Sequence, residues 1–269
     1  MRFDKRFVVK SNARLRLEDF DPDDTAGFEK GNKTDAHLEK NIARMDDLQY
    51  RLYAESRRAL LIVLQGMDAS GKDGTVRHVM SGLNPQGCRV TSFKVPSAEE
   101  AKHDFLWRIH QAVPAHGDIG IFNRSHYEDV LVVRVHQLVP KAVWSARYNE
   151  INAFEKLLGE NGVTILKFFL HISKQEQKER LEERLKDSNR NWKVGPADLK
   201  ERKRWGDYVE AYEAALSRCS TSAAPWFVIP SNKKWFRNLA VSQIIVETLE
   251  QMNPKFPKAA FDISKLKVR

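Results

Sequence analysis

The sequence predicts an α/β chain, a three-layer α/β/α sandwich built on a mainly parallel sheet. Three observations predict it. Strand-like and helix-like segments alternate along most of the 269 residues, as they do where crossover helices join parallel strands. The strands are continuous apolar runs, the signature of strands covered on both faces. The first run passes into a glycine-rich turn that opens a helix, and a helix N-terminus is a ready anion site.

In chain order, residues 1–36 are polar, broken by Asp, Gly and Asn, and read as a basic, loop-rich arm. Leu38, Ile42, Met45, Leu48 and Leu52 recur near the helical period and predict a helix over 37–57. Ala59 to Gln65 is an uninterrupted apolar run ended by Gly66, hence a buried strand. A helix over 72–83 and a strand over 89–94 follow. Ser97 can cap a helix reaching Gln111. Residues 119–123 form the next strand, a helix follows Ser125, and a long helical pattern covers 141–160. The strand over 163–171 leads to a helix from Ser173 to Lys186. Polar residues break the pattern at 187–195, and Pro196 opens a helix through Arg218. A short strand at 226–229, a helix over 239–252 and a basic irregular tail complete the chain. No repeat divides it, so the segments are an arm and helix at 1–57, a core at 58–252 and a tail at 253–269.

Composition narrows the function classes. The net charge of +9 asks for an acidic partner: nucleic acid, anionic lipid or a phosphorylated substrate. Cys88 and Cys219 form no CxxC pair, which argues against a disulfide scaffold or a cysteine zinc site and for reduced thiols in the cytoplasm. No secretory h-region is visible at the start. The longest apolar run, Ala59 to Leu64, is too short to span a bilayer, and no membrane partner is expected.

Two junctions carry the chemistry. Gly66 to Lys72 fits G-x-x-x-x-G-K: Gly66 and Gly71 allow a tight turn, its backbone N–H groups point inward, and Lys72 reaches phosphate oxygens. Asp73 stands where Ser or Thr would bind Mg²⁺, so Thr75 is the hydroxyl offered to phosphate and Asp68 the carboxylate offered to metal. A plain glycine-rich turn gives the same pattern; the strand–loop–helix setting favours the phosphate site. The second junction, Asn123 to Asp129, lies at the carboxyl end of a central strand, where open α/β sheets bind ligands. Arg124 suits a phosphate clamp. Ser125 and Glu128 spell a capping box, and His126 reads as structural. Asn123 is a neutral substitute for the acid that often ends this strand, with Glu128 and Asp129 close by.

A third feature is charge. Nine Lys and Arg against five Asp and Glu fall between Arg180 and Arg204. A solvated helix face would explain any one of them; the stretch as a whole suits a lid that closes over phosphate.

With these residues in view the chain resembles the polyphosphate kinase 2 family. The matching segments are 65–75, 84–94 and 121–130, then Asn191-Trp-Lys193 with Asp198, Trp205 and Tyr208, and Ala224-Pro-Trp226 with Asn232-Lys-Lys234. The resemblance implies a P-loop kinase fold of the thymidylate-kinase kind, with a helical lid at 180–210. It implies Mg²⁺-dependent transfer, with Mn²⁺ as a substitute, between inorganic polyphosphate and nucleotides. Asn123 makes the chain most similar to members that accept both AMP and ADP, giving ADP and ATP. It also implies a homo-oligomer, a dimer or tetramer. On this reading Gly66, Ala69, Ser70, Gly71, Lys72, Gly74, Thr75 and Arg124 bind the phosphate chain, and Arg184, Arg190 and Lys193 close over it. Asp68, Lys72 and Arg124 are the catalytic set. Asn123, Glu128 and Asp129 face the nucleotide, and Asp68 takes the metal with help from Glu128 or Asp129. Two rivals stand beside it. One is an ordinary ATP-dependent kinase. The other is a nucleic-acid-binding module that uses Trp192, Trp205 and Tyr208 for stacking. No recognition helix or RNA motif supports the second, so no nucleic acid is expected.

Overall fold

The computed structural model describes residues 2–11, 13–262 and 266. All seven residues of β1 (Ala59–Gln65) are buried, and they divide strictly by parity. Ala59, Leu61 and Val63 enter one core with residues of α6 (Lys141–Glu160) and α9 (Trp205–Cys219). Leu60, Ile62 and Leu64 enter the other with α2 (Asn32–Glu55), α3 (Lys72–Val79) and α10 (Lys234–Met252). Each of the Leu, Ile and Val side chains among them contributes about 1.5–3 kcal/mol by leaving water. A run apolar at six successive positions, Ala59 to Leu64, is therefore the middle layer of three.

The sheet runs β2 (Cys88–Ser92), β3 (Ile119–Asn123), β1, β4 (Val163–His171), β5 (Trp226–Pro230). All four neighbouring pairs are parallel. Leu64 lies beside Asn123, so β1 and β3 end together. After β1 the chain turns into α3 on one face; after β3 it turns toward α6 on the other. Adjacent strands whose connections part in this way leave a crevice at their carboxyl ends.

The expected α/β/α sandwich is observed, with local departures. The 97–111 helix is absent: a 3₁₀ turn (Glu100–Lys102) and a single turn α4 (Trp107–His110) stand there. The Asp104 carboxylate accepts the Leu106 N–H at 2.9 Å and competes with the helical bond. After Ser125 comes a 3₁₀ turn (His126–Asp129) and then the short α5 (Val132–Val135). The basic stretch is α7 (Lys174–Lys186), a loop, and α8 (Pro196–Lys203), which is separated from α9 at Arg204. α10 begins five residues before the expected 239.

The arm is loop-rich but anchored. Its short α1 (Phe3–Arg6) places Phe3 and Phe7 in the second core, in edge-to-face contact with each other and, for Phe7, with Phe236. Val9 N–H donates to Trp226 O at 2.8 Å, and Phe7 O accepts from Val228 N–H at 2.9 Å. The arm thus covers the free edge of β5. Of the tail, 263–265 and 267–269 lie outside the described residues. Among the described residues no helix is long and apolar enough to cross a membrane.

Candidate active site

The loop between β1 and α3 is shaped by its two outer glycines. Gly66 has φ +152° and Gly71 φ +106°. A Cβ on Gly71 would sit 1.8 Å from Arg237 Nη1, and one on Gly66 would sit 2.8 Å from the Leu170 carbonyl oxygen. Ala69 also adopts a left-handed φ of +63°, a strain that its surroundings hold in place.

Those surroundings are two buried arginines. Arg180 on α7 donates from Nη1 to Ala69 O and Ser70 O, both at 2.9 Å, and from Nη2 to Ser231 O and Asn232 O at 2.5 and 3.0 Å. Its Nε is held by Glu176 at 2.6 Å. Arg237 on α10 reaches Ser70 O at 3.4 Å. Burial, and then the charge of Arg180, push the Arg237 guanidinium down to about 10. In a planar peptide C=O and N–H point oppositely, so the Ser70 carbonyl drawn outward turns the Gly71 N–H the other way, while the Ser70 N–H donates to Met67 O at 3.0 Å. The Ser70 hydroxyl is buried there with no hydrogen-bond partner among the described residues.

Lys72 opens α3 and folds back into the hollow. Its Nζ donates to Gly66 O at 2.6 Å and Met67 O at 3.2 Å. Burial, and then the neighbouring Arg124 charge, lower it to about 8. Gly74 lies in the first turn of α3 against Arg237. The Thr75 hydroxyl donates to Gly71 O at 3.1 Å, so the structure ties it to its own helix and not into the hollow.

Across the crevice, Arg124 has φ +63°, and its N–H donates to Leu64 O at 3.1 Å, stitching β3 to β1. Its guanidinium lies between Asp68 (3.0 Å) and Glu128 (3.5 Å). The expected capping box does not form: Ser125 Oγ accepts from Tyr127 N–H, and the Glu128 carboxylate turns to Arg124. Asn123 donates to Asp73 Oδ1 at 2.9 Å, and Lys193 reaches Asp73 Oδ2 at 3.2 Å. Burial works to raise the Asp73 carboxyl, but Asn123 and Lys193 outweigh it and hold it low. Asp129 faces elsewhere. It accepts from Arg147 on α6 at 2.9 Å, and burial raises its carboxyl despite that partner.

A pocket opens where Asp68 and Arg124 meet, lined by Gly66, Asp68, Arg124 and Glu128 together with Trp205, Tyr208 and Tyr212. Asp68 is fixed from behind, where Gln177 Nε2 donates to its carbonyl at 2.9 Å. Tyr208 donates to Glu201 at 2.6 Å, and burial followed by that acid raises its phenol well above the ordinary range.

The basic segment divides. Lys193 arrives at the site through Asp73. Arg190 pairs with Asp187 at 3.0 Å on an exposed turn, and Arg184 lies half-buried one turn beyond Arg180. Trp192 is 75% exposed, its indole held by Asn189 O at 3.0 Å. Arg180 itself, counted above with the lid charge, is a buried brace. Sequence reading also missed Arg237, and it missed Arg108, which donates to Lys94 O at 2.8 Å in a second cleft beside β2. Nothing in local spacing marked any of these three arginines, because the carbonyls that Arg180 and Arg237 hold lie far away in the chain.

The described carboxylates form no group of three acids, histidines or cysteines able to hold a metal ion unaided. The donors nonetheless suit Mg²⁺, which commonly takes one or two carboxylates and completes its shell with water and substrate phosphate. Asp68 and Glu128 share one guanidinium at the mouth of the phosphate loop.

Comparison with known proteins accords with this geometry. The model of the family Polyphosphate kinase 2 matches residues 29–257. An AMP/ADP-polyphosphate phosphotransferase of Meiothermus ruber is 53% identical over 94% of this chain and 96% of its own. An ADP-polyphosphate phosphotransferase of Rhodopseudomonas palustris is 48% identical over 82% and 81%. The crystal structure of Polyphosphate Kinase 2 from Arthrobacter aurescens superposes with a TM-score of 0.93 at 44% identity, over 98% of this chain and 94% of that one. A family model spanning most of the chain, and a solved relative matching nearly all of it, lead to one conclusion: the chain belongs to the polyphosphate kinase 2 family.

Proposed function

We propose that this protein transfers phosphoryl groups from inorganic polyphosphate to nucleotides, AMP to ADP and ADP to ATP, reversibly and with Mg²⁺. The observation that carries the reading is the facing pair of junctions: a braced phosphate loop with Lys72, and opposite it Arg124 held by Asp68 and Glu128. The names of the Meiothermus and Rhodopseudomonas relatives support the donor and both acceptors.

The last phosphates of the chain lie against the loop N–H groups and Lys72. An oxygen of the acceptor's terminal phosphate attacks the chain's end phosphorus. A P–O bond forms to the acceptor, the bridging P–O bond breaks, and the shortened chain leaves with the electron pair. The attacking oxygen is already anionic, so no strong general base is required. Catalysis is positioning and charge neutralisation by Lys72, Arg124 and the loop. Asp68 would hold the metal with Glu128, where it neutralises phosphate charge. The same carboxylates would take Mn²⁺ in place of Mg²⁺. Asn123 and Glu128 face the nucleotide; Asp129, tied to Arg147, acts from behind. Lys193, with Arg190 and Arg184, closes over the transferring group as part of a lid at 180–210. A homo-oligomer and a cytoplasmic setting complete the proposal; the two free thiols fit a reducing compartment.

The test is an acceptor panel. Purified protein with Mg²⁺ and polyphosphate is offered AMP, ADP, GMP or GDP separately. ADP from AMP and ATP from ADP are expected. No product from any acceptor with polyphosphate, against turnover in a parallel series with ATP as the donor, would favour the ordinary kinase instead.

A further inference from the structure

Behind Arg124 lies a fully buried ionic cluster that the reaction itself does not touch. Glu155 of α6, Lys167 of β4, and His126 and Tyr127 of the 3₁₀ turn are all essentially inaccessible to solvent. Glu155 Oε1 accepts from His126 Nε2 at 3.1 Å and from Tyr127 Oη at 2.9 Å. Lys167 Nζ uses all three donors, on Glu155 Oε2 (2.5 Å), Tyr127 Oη (2.8 Å) and Cys219 O (2.6 Å). One residue earlier, Ser125 Oγ accepts from Gln65 Nε2 at the end of β1, at 3.2 Å, and from Tyr127 N–H. Three consecutive residues after Arg124 are therefore tied to the sheet or to α6.

Burial works to raise the Glu155 carboxyl, but the Lys167 charge and the His126 hydrogen bond outweigh it and keep it ionised. A buried ion pair is a poor way to gain stability, since well-packed apolar residues of similar volume often do as well or better. What this one supplies is direction. Its partners converge on the turn that must hold Arg124 at a left-handed φ of +63°, a conformation that a non-glycine residue keeps only when its surroundings over-determine it.

We propose that the Glu155–Lys167–His126–Tyr127 cluster is a positioning device for the Arg124 guanidinium, so that these four residues act on turnover through Arg124 alone. The proposal rests on the catalytic reading of Arg124 given above.

The experiment is a mutant cycle on ATP formation from ADP and polyphosphate. The doubly neutral variant Glu155→Leu with Lys167→Met removes both charges together, so that neither is left buried alone. Urea denaturation reports its fold. Tyr127→Phe, which deletes one hydroxyl, is the second variant and takes its place in the cycle where the first does not fold. Each is measured in the wild-type and the Arg124→Ala background. The expected result is at least a tenfold fall in kcat with KM for ADP within threefold in the wild-type background, and less than a twofold further fall beside Arg124→Ala. Folded variants with wild-type kcat overturn the proposal. So does an equal fold-loss in both backgrounds, which is the behaviour of residues acting independently. Wild-type activity in Arg124→Ala alone overturns the reading of Arg124; a much reduced but measurable Arg124→Ala rate with an additive cycle overturns only the positioning role.

Discussion

Lys72 is a buried ammonium whose titration burial has moved to about 8, and in the proposed role it must be charged to hold phosphate. Only the protonated form attracts the chain. In the free enzyme that form is complete well below this value and is lost as pH rises through it. Bound polyphosphate surrounds the ammonium with negative charge and raises it again. The expected outcome is a kcat/KM for polyphosphate that declines above about pH 8, approaching tenfold per unit, while kcat holds to higher pH. Rate profiles against pH check this, and a kcat/KM flat to pH 10 would contradict it. The motif in the sequence identified this lysine and its glycines directly, because only glycine fits where Arg237 and the Leu170 carbonyl approach.

The helices behind the loop divide the cations into two kinds. Arg180 of α7 spends its fork on four carbonyls and faces no solvent, whereas Lys193 sits on an exposed turn against Asp73. Substitution separates them. Arg180→Lys replaces a planar fork by a point charge and should lower kcat/KM by about tenfold or more without changing its salt dependence, because the side chain shapes the loop from behind. If Lys193 meets the chain as proposed, Lys193→Ala should weaken polyphosphate binding and flatten its dependence on salt, because a phosphate contact and its released counterion would be lost. Binding titrations at several salt concentrations distinguish the two; a changed salt slope in Arg180→Lys would put that residue on the substrate. Sequence alone could not sort them. Both are basic residues in a charged helical stretch, and the carbonyls that claim Arg180 come from two loops far apart in the chain. The 97–111 segment failed for a related reason: Ser97 does accept the Glu100 N–H at 3.2 Å, but Asp104 then diverts the backbone. Strands were legible because apolar runs need no such long-range knowledge.

The whole chain was first a charge of +9 seeking an anion. The fold gives that charge a place, since Lys72, Arg124 and Lys193 meet around one crevice while Arg180 and Arg237 lie buried behind it. The arm, read as loop-rich from its polar residues, is also part of the core through Phe3 and Phe7, whose isolated positions gave no periodic signal. Phe3→Ala should cost about 3 kcal/mol or more of stability, seen as a lower urea midpoint; an unchanged midpoint would return the arm to the surface. The decisive assay needs only purified protein, Mg²⁺, polyphosphate and ADP, with no other phosphoryl donor. Wild type should form ATP while folded Lys72→Ala forms essentially none. ATP formation by Lys72→Ala at the wild-type rate, or none by the wild type, would contradict the assignment.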